Sequence, residues 1–164
     1  MRRDKRDEGG KPMFITFLLI MHGNCALLLV GAVSHQALGV FWPRRPGQTD
    51  FVANARGIRP QVYVEAIIIL YVITFFLGSV IYPTYRVYVR PPLEDLRVLY
   101  AIGLFEMKEN FLAVMLAMLP AYWYFWRRTQ DYPQTRSWLT GILVFSVWFS
   151  FITGHILNNV RGFG

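Results

Sequence analysis

MFITFLLIMHGNCALLLVGAVSHQALGVFW, residues 13–42, runs for thirty positions without a formally charged side chain. As an α-helix it reaches about 45 Å, more than the roughly 30 Å hydrocarbon layer of a bilayer. It predicts a helix that crosses a membrane and protrudes. The run is too long for the apolar core of a signal peptide, and no small-residue cleavage site follows the basic start at a suitable distance. The helix is therefore expected to be retained.

Three further apolar runs follow. Residues 62–82 carry one carboxylate, Glu65, and are expected to stop at Pro83, whose missing amide and ring disfavour helix continuation. Residues 98–126 are interrupted by Glu106, Lys108 and Glu109, and residues 138–157 are uncharged apart from protonation of His155. Four crossings make the expected fold all-α, an integral membrane four-helix bundle forming one domain over 1–164. Pro120 is expected to kink the third span, because it frees the carbonyl of Leu116.

The whole-chain figures agree. Of 164 residues 54% are hydrophobic and only 16% charged, with a mean hydropathy of +0.33, which is too apolar for an ordinary soluble domain. The net charge of +7 raises nucleic acid as a partner, but the basic residues cluster outside the apolar runs, as flanks of membrane spans do. Lipid thus accounts for the charge without nucleic acid. A single cysteine, Cys25, excludes an intramolecular disulfide and every Cys-x-x-Cys motif.

Counting Lys and Arg by side places Arg2, Arg3, Lys5, Arg6, Lys11, Arg86, Arg90, Arg97 and Arg161 at one face. The other holds Arg44, Arg45, Arg56, Arg59, Arg127, Arg128 and Arg136. The positive-inside rule then puts both termini in the cytoplasm, in a membrane expected to be a bacterial cytoplasmic one. Residues 1–11, MRRDKRDEGGK, read as a flexible basic cytoplasmic tail that meets anionic lipid or a partner's face. The long connection between the first two spans leaves room for a short interfacial helix around residues 50–56. Tyr122 to Trp126, followed by Arg127 and Arg128, read as the outer aromatic belt, and Tyr82, Tyr85 and Tyr88 as the inner one.

Function must lie with side chains that a bilayer tolerates poorly, since a charge at mid-depth costs about 2.5–3.5 kcal/mol on insertion scales. Helical rise puts His22, Glu106 and Glu109 at one level of the inner half, with His155 entering it from the fourth span. In the outer half, His35 and Glu65 are placed to pair. Glu106, Glu109 and Asn110 share a helix face that Ala113 and Ala117 continue, and this face is expected to look into the bundle while Lys108 points elsewhere. Alternatively the hydrocarbon begins near Asn110, and the charges before it are solvated.

Imidazoles beside small residues, as with His22 and Gly23 or His35 between Gly31 and Gly39, suit a b-type haem. The expected haem ligands are His22 and His155, with His35 as a spare. Met21, His22 and Cys25 form a copper alternative, thioether, imidazole and thiolate all suiting Cu(I). Phosphate-cradling, dinucleotide-binding, zinc-protease and serine-hydrolase motifs are absent, so nucleotide-driven and hydrolytic chemistry lose support. The leading expectation is a membrane redox subunit that binds haem b or lines a quinone site within a larger electron-transfer complex. Glu106 and Glu109 serve it as a proton relay. The alternatives are a non-catalytic accessory or assembly subunit held among other membrane subunits, and a small proton or ion conductor through His22, Glu106, Glu109 and His155.

Overall fold

A computed structural model describes residues 10–43, 47, 49–128 and 131–162. Residues 1–9, most of the expected tail, lie outside the described residues, as do Arg44 and Arg45. Four long helices dominate: α1 (Gly10–Phe41), α3 (Tyr63–Tyr88), α5 (Leu99–Arg127) and α6 (Pro133–Gly162). Two short helices join them, α2 (Phe51–Arg56) and α4 (Arg90–Asp95), with a 3-10 turn at Pro60–Val62 leading into α3. No strand occurs among the described residues.

Three stretches are long and apolar enough to cross a membrane: Met13–Phe41, Pro60–Tyr88 and Pro133–Leu157. Side chains such as Phe14, Phe17, Ile20, Leu27 and Leu28 on α1, and Phe145 and Ile152 on α6, are exposed. Large apolar surface of this extent is not stable in water and fits a lipid-facing perimeter. α5 is as long as its neighbours but does not qualify by composition: Glu106, Lys108 and Glu109 interrupt its first half, and Pro120, Tyr122, Trp123, Tyr124, Trp126 and Arg127 lower the hydropathy of its second.

The long helices are ordered α1, α3, α5, α6 around a shared core, with α6 returning to α1. Leu29, Val33, Ile67, Tyr71, Met115 and Leu143 fill the centre. Lipid is as apolar as these side chains, so close packing and interhelical hydrogen bonds hold such helices together more than solvent exclusion does. Among these bonds are three with aromatic donors. Tyr71 Oη donates to the Leu112 carbonyl at 2.8 Å, joining α3 to α5, and Trp148 Nε1 donates to Ser34 Oγ at 2.9 Å, joining α6 to α1. Tyr122 Oη donates to Gln36 Oε1 at 2.7 Å, joining α5 to α1.

At the end of the molecule that carries α2, Gly39 lets Pro60 approach: a Cβ there would lie 2.9 Å from Pro60 Cγ. Gln36 Nε2 donates to the Pro60 carbonyl at 3.2 Å and fixes the chain as it enters α3. The helix expected around residues 50–56 is α2, ended by Gly57, with Ala53 buried while Phe51 and Val52 are exposed. At the opposite end, α4 folds back so that Leu93 packs with Ala101 and Ile102 of α5 and against Leu157 of α6.

Pro83 does not end its helix, which continues to Tyr88. Proline already holds a helical φ, and its cost is one lost backbone donor and the crowding of its ring against the preceding turn. The turn around it is held by packing: Tyr82 and Tyr85 on either side of the proline both stack on Phe105 of α5, at centroid distances of 6.0 and 3.8 Å. Pro120 likewise lies inside α5 without terminating it.

Candidate functional site

Of the neighbouring long helices, α3 and α5 touch each other least. At the α4 end they leave an open cleft of about 370 Å³ lined by Ser79 and Tyr82 of α3 and by Phe105, Glu106, Glu109 and Asn110 of α5. Its polar floor follows from helical spacing, since Glu106, Glu109 and Asn110 fall on one face. Its wall is aromatic, with Tyr82 and Phe105 stacked at an interplanar angle of 20°. Ser79 donates to the Phe75 carbonyl at 3.0 Å, which leaves its oxygen lone pairs free to accept.

Charge at the cleft is paired rather than bare. Arg90 at the start of α4 bridges two carboxylates, Nε to Glu94 at 2.6 Å and Nη1 to Glu106 at 3.2 Å. The hydrogen bond to Glu94 pushes the guanidinium still further from deprotonation. Lys108 Nζ meets Glu109 Oε1 at 3.0 Å and lies 4.4 Å from the Phe105 ring centroid.

The polar face of α5 is turned the opposite way from expectation. Glu106, Asn110, Ala113 and Ala117 are exposed, while Met115, Leu119, Tyr122 and Trp126 fill the core. Lys108, expected to point elsewhere, has a side chain only 14% exposed and neutralises Glu109. The bulky residues of α5 occupy a face offset from the carboxylates, and packing volume selects the face that goes inward.

His22 of α1 faces α3. Its Nδ1 lies 3.0 Å from the Thr74 carbonyl, and since a carbonyl only accepts, Nδ1 carries the proton and Nε2 keeps the lone pair. Gly78 makes room for the ring: a Cβ there would sit 3.2 Å from His22 Cε1. His155, its expected partner across a haem slot, is exposed on α6, and no contact joins the two among the described residues. His35 does not pair with Glu65. It stacks on Tyr63 at 4.9 Å with its Nδ1 buried and unbonded, whereas Glu65 accepts from Arg127 at 2.8 Å and from Trp123 at 3.3 Å. The antiparallel course of α3 and α5 brings the start of one beside the end of the other, and Arg127 is the stronger partner there.

Met21 is exposed and Cys25 is a half-buried free thiol. No group of three or more His, Cys, Asp or Glu converges among the described residues. The copper alternative therefore has no further donor of those types beside His22 and Cys25. Sequence reasoning that counts ionisable groups passes over Gln36, Tyr71 and Tyr122, all buried and hydrogen-bonded between helices. For Gln36 a signal existed, a lone amide within an apolar run. No protein-family model matches the chain, and no curated protein or solved structure is recognisably similar to it.

Proposed function

We propose that the chain is a four-span integral membrane subunit with both termini on the cytoplasmic side, and that its α3–α5 cleft receives the head group of a lipid-soluble quinone. The observation that carries this is the composition of the cleft. An aromatic wall offers a stacking surface, Asn110 offers amide donors, and two carboxylates offer sites that take up a proton and pass it on, in a volume of about 370 Å³.

Depth supports the reading. The Arg127–Glu65 pair stands at the end of α5 and the Arg90–Glu106 pair about two turns inside its start, and the twenty-one helical steps from Glu106 to Arg127 rise about 31 Å. A hydrocarbon layer of roughly 30 Å fits between them. Glu106 then stands at the lipid boundary and Glu109 one turn inside it, with the cleft open sideways to lipid. Reduction of a quinone to its quinol takes two electrons and two protons. The electrons come from a redox centre on another membrane subunit, and Glu106 and Glu109 each pass one proton from the aqueous side to a carbonyl oxygen.

The test is binding of a short-chain quinone to the protein in lipid nanodiscs, read by quenching of its intrinsic fluorescence. Saturable binding that weakens at least about tenfold in Asn110→Ala and in Glu109→Gln supports the reading. Binding that is absent, or indifferent to both substitutions, overturns it.

A second reading has one observation of its own. The His22 tautomer, Nδ1–H on a backbone carbonyl with Nε2 free, is the one that ligating histidines adopt, so His22 fits one axial position of a b-type haem. Haem would supply one-electron transfer. A Soret band that survives purification in mild detergent and disappears in His22→Ala supports this reading, and absence of the band rejects it.

A further inference from the structure

A second hollow lies away from the cleft, along α6. It is an open groove of about 450 Å³ that follows the helix from Ser137 to Ser146, flanked by Phe41 of α1 and Phe111 of α5, and its walls are almost wholly apolar. The nine helical steps give it a length of about 14 Å, close to half of a roughly 30 Å hydrocarbon layer, which is one leaflet. Where it ends, Phe111 packs edge-on against Phe145 and Phe149, at 5.6 and 5.4 Å. Spread over that length, the volume leaves a mean cross-section of about 33 Å², whereas a helix about 10 Å across fills about 80 Å². The slot therefore has the width of a hydrocarbon chain and not of a further helix.

The other end of the groove opens beside charge that the protein does not neutralise. Arg136, the residue before Ser137, donates through Nη1 to the carbonyls of Arg128 and Asp131, both at 3.0 Å, and so ties the end of α5 to the start of α6. Aromatic faces hold both guanidinium groups: Arg128 lies 4.6 Å from the Tyr124 ring centroid and Arg136 5.6 Å from that of Trp126. Arg127 is paired with Glu65, but neither Arg128 nor Arg136 is in an ion pair among the described residues. Between residues 128 and 136 the only other charged residue is Asp131, so this turn carries one positive charge in excess. Trp138 lines the same end of the groove and is 73% exposed, as an indole of the lipid interface is.

We propose that this groove binds one anionic phospholipid, with an acyl chain laid along α6 and the phosphate held by Arg128 and Arg136. One phosphodiester carries the single negative charge that the turn calls for. The turn engages only Nη1 of Arg136, which leaves that side chain's other N–H groups, and those of Arg128, as charge-assisted donors to phosphate oxygens. The inference goes beyond the quinone reading and shares with it only the placement of the chain in a membrane.

Native mass spectrometry of the full-length protein in mild detergent, titrated with dioleoylphosphatidylglycerol or with dioleoylphosphatidylcholine, tests the inference. One phosphatidylglycerol is expected to stay bound, at least about fivefold more tightly than phosphatidylcholine. Arg128→Gln is expected to erase that preference and leave the affinity for phosphatidylcholine unchanged, whereas Arg86→Gln, at the other end of the molecule, is expected to alter neither. Gly141→Leu fills the groove, since a Cβ there already lies 3.6 Å from Phe41 Cζ, and is expected to weaken both lipids at least about tenfold. Should that variant misfold, Ile142→Trp narrows the groove from its exposed side, and the same loss is expected. Equal affinity for the two lipids, or binding that survives the filled groove, overturns the inference. So does a lipid-free dimer in place of the lipid-bound monomer, which would make a second copy of the chain the occupant. No quinone is present, so lipid retention by a protein that binds no quinone refutes the cleft reading alone.

Discussion

Tyr122 Oη donates a 2.7 Å hydrogen bond to Gln36 Oε1, and these two side chains, 86 residues apart in sequence, have no exposed surface. Through Gln36 Nε2 the bond continues to the Pro60 carbonyl, so one amide locks α1, α5 and the entry to α3. Tyr122→Phe removes one bond and leaves the amide oxygen unpaired, an expected loss of about 1–2 kcal/mol. Gln36→Leu orphans the buried phenol and removes one of the bonds to the Pro60 carbonyl, and about 1–3 kcal/mol is expected. In the double variant the losses are expected to fall short of their sum by at least about 0.5 kcal/mol, measured by denaturant unfolding in detergent. Strict additivity would show that the bond contributes nothing.

Glycines on α1 differ in what surrounds them. Gly39→Ala drives a methyl to 2.9 Å from Pro60 Cγ, on a ring that cannot swing aside, and about 1–3 kcal/mol of destabilisation is expected. At Gly31 nothing lies within 4 Å, so Gly31→Ala is expected to be neutral or to stabilise by up to about 1 kcal/mol through helix propensity. Midpoints of unfolding for the two variants, compared with the parent, check the contrast. Equal effects would be inconsistent with the close approach at Gly39.

The ion pair at the α2 end is expected to matter little for stability. The side chains of Arg127 and Glu65 are 62% and 56% exposed, and exposed pairs contribute about 1 kcal/mol or less. Glu65→Gln should therefore leave the melting temperature within a few degrees of the parent at moderate salt. At the α4 end, the Glu94 hydrogen bond raises an already high Arg90 pKa. A raised pKa in a cation gives a contribution that is complete below the unfolded value and is lost only as pH rises through the folded one. For arginine that window lies above the working range, so stability measured between pH 7 and 9 should show no step from Arg90.

Arg97 sits between α4 and α5 with φ of 56°, a left-handed conformation that glycine adopts without penalty. Its amide bonds to the Glu94 carbonyl at 3.0 Å and closes the last turn of α4, as residues following a helix commonly do. Arg97→Gly is expected to stabilise the protein by about 0.5–1 kcal/mol in the same unfolding assay. A loss of stability instead would mean that the arginine side chain makes a contribution larger than the backbone strain.

Which runs form long helices was legible in order and length, because uninterrupted apolarity and the breaks between runs are local properties. The run at 13–42 becomes α1, ending at Phe41, and the short helix near 50–56 becomes α2. Pro83 misled because a proline is a local breaker only where tertiary packing does not hold the turn, and here stacking on Phe105 holds it. The pairing of His35 with Glu65 misled because depth is one coordinate and contact needs three. Both lie near the same end, yet Arg127 comes closer to Glu65 and Tyr63 closer to His35.

By itself the sequence determined that this chain is helical and suited to a membrane, since both follow from runs of side chains and the spacing of their interruptions. It also singled out Glu106, Glu109 and His22 as residues that a bilayer tolerates poorly. Only the tertiary structure decided which way α5 is rotated, and hence that its carboxylates line a lateral cleft while Lys108 turns inward. Rotation is set by how Met115, Leu119, Tyr122 and Trp126 fit against three other helices, and that fit is a sum over distant parts of the chain which no local pattern contains.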